Sequence, residues 1–365
     1  MANYLEYEAE ERSRRIGRGW FGWTIVVVVM AALVAVGVTP SGYLIEQPGE
    51  VHDTLGTVQG DGDDVALVDI PREATYPTTG SLDLLTVRTL GNREYTRPWI
   101  EVAAAWLDRT QAIVPVDDVY PEGVTSEQRA EISAAQMTSS QQAAIAAALT
   151  VLGIDYETEV TVLATVDGGP SDGVLEAGDV IVSLGGVAVR DAAHLRELVA
   201  AVEPGTVTPV TVVRGGASVE AEVSPIDGEN GTIIGVELAT AFDFPFEVTV
   251  QLEQVGGPSA GQIFALAIID KLTPGALTGG NEVAGTGTIA PDGTIGAIGG
   301  IQQKMYGATR AGATVFLAPA SNCDEVVGHV PDGLDVYAVT TIADSLTVLN
   351  TISTGASTAF LPRCE

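Results

Sequence analysis

The chain has 365 residues, enough for two or three domains, and it is 46% hydrophobic and 5% aromatic with 42 glycines. That composition fits compact Val- and Ala-rich domains and excludes a disordered polymer. A formal net charge of −31 excludes nucleic acid and anionic lipid as general partners, since both would be repelled.

The first segment with character is residues 20–38, WFGWTIVVVVMAALVAVGV, which carry no charge. The run is long enough to cross a bilayer as a helix, with Trp20, Phe21 and Trp23 suited to an interface. Arg12, Arg14, Arg15 and Arg18 precede it and no basic cluster follows. The expectation is a single-pass signal anchor at 20–39 with a cytoplasmic tail at 1–19 and everything later outside the cell membrane. A cleaved signal peptide is the rival, against which stand the length of the run and the lack of an A-x-A site.

Residues 40–154 form an α+β region without nameable chemistry. Ser81–Thr89 alternates like a strand, and Trp99–Thr110 reads as a helix after Pro98. Thr125 with Gln128 makes a capping box ahead of a long Ala- and Gln-rich helix, 126–152, whose Ser139-Ser140-Gln141-Gln142 patch reads as a solvated face.

From 155 the character changes. Val160–Val166 is a strand, 167–173 a tight loop, His194–Val202 a short helix, and 209–223 a hairpin about Gly215-Gly216. With the pattern L-x-x-GDVI-x-x-x-x-G-x-x-V at 175–189, residues 155–226 resemble a bacterial PDZ domain. The resemblance implies a groove between a strand and the 194–202 helix that takes an extended peptide by strand addition. Its carboxylate loop would fall at Leu152-Gly153-Ile154, and His194 either touches ligand or merely sits on the surface.

Phe246–Leu252 alternates as a strand and leads through Gly256-Gly257-Pro258-Ser259-Ala260-Gly261 into an apolar helix, 262–272. A serine between small residues at such a junction is either a helix N-cap or an exposed nucleophile beside free N–H groups. Farther on, 282–289 is a strand, 290–293 a turn, 294–300 the return, 301–310 a helix and 314–319 a buried-type strand. In that helix Ile301, Lys304, Met305 and Ala308 share one face, so the lysine lies on the apolar side. Lys304 and Lys271 are the only lysines in the chain. A base that works without its proton can be lysine but not arginine. To act near neutrality its pKa must fall by about 3 units, roughly 4 kcal/mol of bias from burial. The alternative is a lysine snorkelling from a helix edge.

The GPSAG motif, followed 45 residues later by the lysine of T-G-x-I-x-x-x-G-x-I-x-x-I-G-G-I-x-x-K and then by A-T-R-A-G-A-T-V-F-L-A-P, resembles the proteolytic domain of Lon proteases over about 232–350. The resemblance implies a Ser-Lys dyad: Ser259 as nucleophile, Lys304 as general base, Thr286 orienting the lysine, and Gly257, Pro258 and Ala260 shaping the oxyanion site. Gly256 stands where the family carries an acid, and no nucleotide-binding G-x-x-x-x-G-K-[ST] occurs. The order of segments is similar to that of membrane-anchored, PDZ-containing Lon-like proteases of bacteria. The expected fold is therefore multidomain α+β: transmembrane helix, α+β N-terminal region, PDZ domain at 155–226 and Lon-type domain at 227–365. The expected function is an ATP-independent serine endopeptidase of extracytoplasmic or membrane-associated proteins, with the PDZ domain capturing substrate peptides. A homo-oligomer is expected by analogy, no cofactor or metal is expected, and an exported Cys323–Cys364 pair would close a loop worth roughly 4 kcal/mol. Two rivals remain: a PDZ adaptor on an inert Lon-like scaffold, and an α/β-hydrolase using Gly257-x-Ser259-x-Gly261 with Asp324 and His329.

Overall fold

The computed structural model describes residues 23–59, 64–121, 123–228, 231–252 and 255–364. Residues 23–37 are helical (α1). At 1.5 Å per residue they extend about 22 Å, short of the ~30 Å hydrocarbon core. Among the described residues no helix is long and apolar enough to cross a membrane. The expected transmembrane span and single-pass localisation are therefore not supported among the described residues. The composition is apolar enough, but the described helix ends at the turn beginning at Val38. Residues 1–22, with the arginines and Trp20, lie outside the described residues.

In chain order there follow β1 (Tyr43–Asp53), β2 (Thr57–Gln59), β3 (Asp64–Ala66), β4 (Val68–Asp69), β5 (Ser81–Leu90), α2 (Trp99–Ala105), β6 (Ala112–Pro115), α3 (Val116–Val119) and α4 (Ser126–Leu152). Next come β7 (Glu157–Thr165), β8 (Val180–Leu184), β9 (Val187–Ala188), α5 (Ala192–Ala200), β10 (Thr208–Arg214), β11 (Ala217–Val223), β12 (Ile226–Gly228), β13 (Gly231–Ile233) and β14 (Val236–Asp243). The last stretch holds β15 (Thr249–Val250), α6 (Gly261–Leu272), β16 (Glu282–Gly285), β17 (Thr288–Ile289), β18 (Ile295–Gly296), α7 (Ile301–Ala311), β19 (Val315–Pro319), α8 (Cys323–Val326), β20 (Asp335–Val339) and α9 (Ile342–Ser353). The chain divides into two compact units, residues 70–74 with 145–249 and the remainder.

The larger unit is built on one six-stranded sheet in the order β20-β19-β16-β5-β1-β6. β20, β19, β16 and β5 run parallel, while β5, β1 and β6 pair antiparallel. The stretch without legible chemistry thus supplies three strands to the same sheet as residues 282–339. Ala284, Ile301, Met305, Ala308, Phe316 and Val336 share its core. The helix expected over 99–110 stops at Ala105, because Asp108 accepts from both the N–H and the hydroxyl of Thr110 and turns the chain. The strand expected over 246–252 is reduced to β15, and the Gln251 N–H donates to Leu67 O at 2.7 Å. The Thr125–Gln128 capping box forms in both directions, at 3.0 and 3.2 Å. Cys323 and Cys364 are disulfide-bonded.

The smaller unit holds a sheet in the order β11-β10-β8-β7-β14, with β9 on β8. Gly215 and Gly216 take φ of 58° and 84°, which a two-residue hairpin of type I′ requires. The buried Asp179 carboxylate receives two guanidinium bonds from Arg214 at 2.7 Å and the Glu176 N–H at 2.9 Å. The Arg214 bonds hold its pKa low, and they are why an aspartate is tolerated inside.

Candidate active site

The nucleophile loop, residues 255–260, has no regular structure and enters α6, whose first ten residues are all buried. That burial follows from composition, since Ile263–Ile269 is apolar on every face. Ser259 is half-buried at the helix entrance, and Gly257 takes φ 87°, open to glycine with little strain. α7 starts after Gly300 in the left-handed region and ends at Gly312, likewise left-handed. It buries Ile301, Lys304, Met305 and Ala308 together, so the lysine on the apolar face stays inside and does not snorkel: Lys304 is 3% exposed.

Lys304 Nζ lies 2.7 Å from Ser259 Oγ and 2.9 Å from Thr286 Oγ1. Thr286 Oγ1 in turn donates to Ser259 O at 3.0 Å. The strand expected over 282–289 breaks here into β16 and β17. Gly287 N–H donates to Ser259 O at 2.9 Å and Gln262 N–H to Gly287 O at 3.2 Å, so the Thr286-Gly287 link docks on the nucleophile loop instead of continuing the strand. Thr286 is 1% exposed. Burial drives the Lys304 pKa down to about 7, opposed by the Glu46 carboxylate. Burial raises the pKa of Glu46 itself, and Lys304 partly offsets that rise. Glu46, Ser259 and Lys304 line one cleft of about 1510 Å³ together with parts of β1, β5 and α4.

The loop is held from α4. Gly257 N–H donates to Ser133 O at 2.9 Å, and Ser140 Oγ donates to Pro258 O at 2.9 Å. The solvated face expected at 139–142 is therefore wrong for Ser140, which is 5% exposed. Crowding by the same helix accounts for Gly256: a Cβ there would lie 2.2 Å from Ser133 Oγ. At Gly261 a Cβ would meet Ile289 Cγ2 at 2.7 Å and Ser140 Oγ at 2.9 Å. Ser133, Ser140 and Glu46 had no signal in the sequence, being ordinary residues of a helix and a strand more than a hundred positions from their partners.

Asp324 and His329 are exposed, and the His329 ring sits at its own chain, 3.2 Å from Val327 O. The partner of Ser259 is an amine, which removes the α/β-hydrolase alternative.

In the smaller unit, Leu152 ends α4, Gly153 caps it with φ 68°, and the N–H groups of Gly153 and Ile154 donate to Thr150 O and Leu149 O. A carboxylate loop needs free N–H groups, and these two are engaged. His194 Nδ1 faces Arg190, and the His194 N–H is capped by Asp191. β7 is an inner strand, paired with β8 on one side and antiparallel with β14 on the other, from Val236↔Thr165 to Asp243↔Glu157, so β14 is the edge strand of this sheet. Ile234, Val236 and Leu238 pack with Val160, Leu195 and Val199.

Residues 254–351 match the Lon protease (S16) C-terminal proteolytic domain, and residues 135–224 match a PDZ domain. Lon protease 1 of Sorangium cellulosum is 38% identical over 93 residues, 25% of this chain and 11% of that protein. Lon protease of Mycolicibacterium smegmatis is 35% identical over 106 residues, 28% of this chain and 13% of that protein. The chain thus aligns with only a small part of these relatives' length. Among solved structures, the PDZ domain of the SdrC-like protein from Listeria monocytogenes is 23% identical, covering 22% of this chain and 86% of that one at a TM-score of 0.21. The matches identify a Lon-type C-terminal proteolytic domain and a PDZ domain in one chain.

Proposed function

We propose that the chain is a serine endopeptidase that works without ATP through a Ser259–Lys304 dyad. The observation that carries this reading is a buried amine, its pKa brought down to about 7, at hydrogen-bond distance from a half-buried hydroxyl. A neutral amine has two N–H bonds and one lone pair. Thr286 Oγ1 spends its own proton on Ser259 O, so it accepts one N–H of Lys304 and leaves the lone pair for the Ser259 hydroxyl. The lysine then takes that proton as Oγ attacks a peptide carbonyl. It returns the proton to the departing amine, and an acyl-serine remains. Water enters, gives a proton to the same lysine and adds to the acyl carbon, and the lysine returns that proton to Ser259 Oγ as the acid leaves. The Ser259 N–H, which has no acceptor among the described residues, lies at the mouth of α6, where the helix dipole favours the oxyanion.

The sequence carries no phosphate-binding loop. Cleavage is thus confined to segments already unfolded. Peptide capture by strand addition to β7 is not part of the proposal, because β14 holds that edge. The test is digestion of β-casein by wild type, Ser259→Ala and Lys304→Ala, with and without ATP. Cleavage by wild type alone, indifferent to ATP, is expected; equal cleavage by Ser259→Ala would remove the reading. The adaptor alternative predicts no cleavage by any of them.

A further inference from the structure

Three peptide units of the nucleophile loop can be followed. The Gly257 N–H is tied to Ser133 O. The Ser259 carbonyl is tied twice, to the Gly287 N–H at 2.9 Å and the Thr286 hydroxyl at 3.0 Å. Between these anchors lies the unit that joins Pro258 C=O to Ser259 N–H. With the Gly256–Gly257 and Ser259–Ala260 units tied and Pro258 φ held by its ring, that plane moves chiefly by a concerted rotation in Pro258 ψ and Ser259 φ. The C=O and N–H of a trans peptide point in opposite directions within one plane. Whatever holds Pro258 O therefore aims the Ser259 N–H.

One side chain holds Pro258 O: Ser140 Oγ at 2.9 Å, 118 residues away in sequence and buried. The neighbouring Gly261 lets the hydroxyl approach α6, since a Cβ there would come within 2.9 Å of Ser140 Oγ. We propose that Ser140 is a positioning residue for the reaction, setting the direction of the Ser259 N–H as oxyanion donor by fixing the Pro258–Ser259 peptide plane from α4. This inference rests on the dyad reading. It assigns Ser140 no contact with substrate and no part in proton transfer; its effect falls on the tetrahedral oxyanion alone.

Removal of a whole oxyanion donor lowers kcat by about 10²–10³-fold, so a donor that is present but misaimed loses less, on the order of 10- to 100-fold. The experiment compares wild type, Ser140→Ala and Ser140→Cys on β-casein and on one peptide cut from it, with a peptide boronic acid as tetrahedral mimic. Because the thiol is a weak donor, kcat should fall in the order Ser, Cys, Ala. KM should stay within about threefold, and boronate affinity should fall by the same factor as kcat. The acid limb of the pH–rate profile, set by Lys304, should not move. A merely structural role would lower the unfolding midpoint and leave boronate affinity and kcat per labelled serine unchanged; that result overturns the proposal, as does a loss confined to KM. Should Ser140→Ala not fold, Ser140→Cys decides by the same criteria. Failure of wild type to cleave, with Ser259 not labelled by a fluorophosphonate, would instead sink the dyad reading.

Discussion

Replacing Lys304 with methionine should abolish activity yet stabilise the protein at pH 7. The amine is 3% exposed and burial drives its pKa from 10.5 to about 7. In the unfolded chain it is charged up to pH 10.5, whereas in the folded chain it is neutral above about 7. Unfolding therefore takes up a proton between those values, and stability rises with pH across that window by about 1.4 kcal/mol per unit. The destabilisation is complete below pH 7, where it reaches about 4–5 kcal/mol, and fades towards pH 10.5. Methionine has nearly the same volume and no charge to desolvate. It forfeits the bonds to Ser259 and Thr286, about 1 kcal/mol each. The net expectation is a variant about 2 kcal/mol more stable than wild type at pH 7, an advantage that shrinks by about 3 kcal/mol on going to pH 9.5 and so changes sign. Urea unfolding of both proteins at the two pH values measures this. An identical difference at both would mean that the amine titrates normally, and the proposed base would be lost with it.

Asp83 provides the opposite slope in a separate window. Burial, and then the Asp53 carboxylate opposite it in register, raise its pKa to about 6, so the folded state holds a proton that the unfolded state has lost. Stability should be full below pH 3.8 and fall by about 3 kcal/mol by pH 6. Asp83→Asn should flatten that fall in acid unfolding curves, and a wild-type curve already flat there would contradict the assignment. Thr286→Val removes the acceptor that orients Lys304 and should lower kcat about 10- to 100-fold, with Thr286→Ser close to wild type; an active Val variant would show that the lysine orients itself. Amide exchange along β7 should be slow without any peptide, because β14 already pairs with it. Fast exchange that slows on adding C-terminal peptides would show an open groove.

The sequence by itself determined what local pattern can determine. The spacing in α7 put Lys304 on the apolar face, since helical periodicity fixes which side chains point together, while its burial rather than snorkelling was decided by the packing. Gly215-Gly216 announced a hairpin, because only glycine readily takes two successive positive φ values. The GPSAG loop announced a serine at the entrance to the apolar helix α6. Only the tertiary structure decided the rest, since contacts between distant segments leave no local trace. Ser133 and Ser140 look like any helix serines until the nucleophile loop is laid on them. Glu46 is one more strand residue until β1 enters the catalytic sheet. The break at Thr286 arises because docking on the Ser259 carbonyl satisfies backbone groups that a continued strand would have left to the sheet. The pairing of β14 with β7 has no local trace either, because it joins residues 236–243 to a strand about eighty positions earlier through backbone bonds.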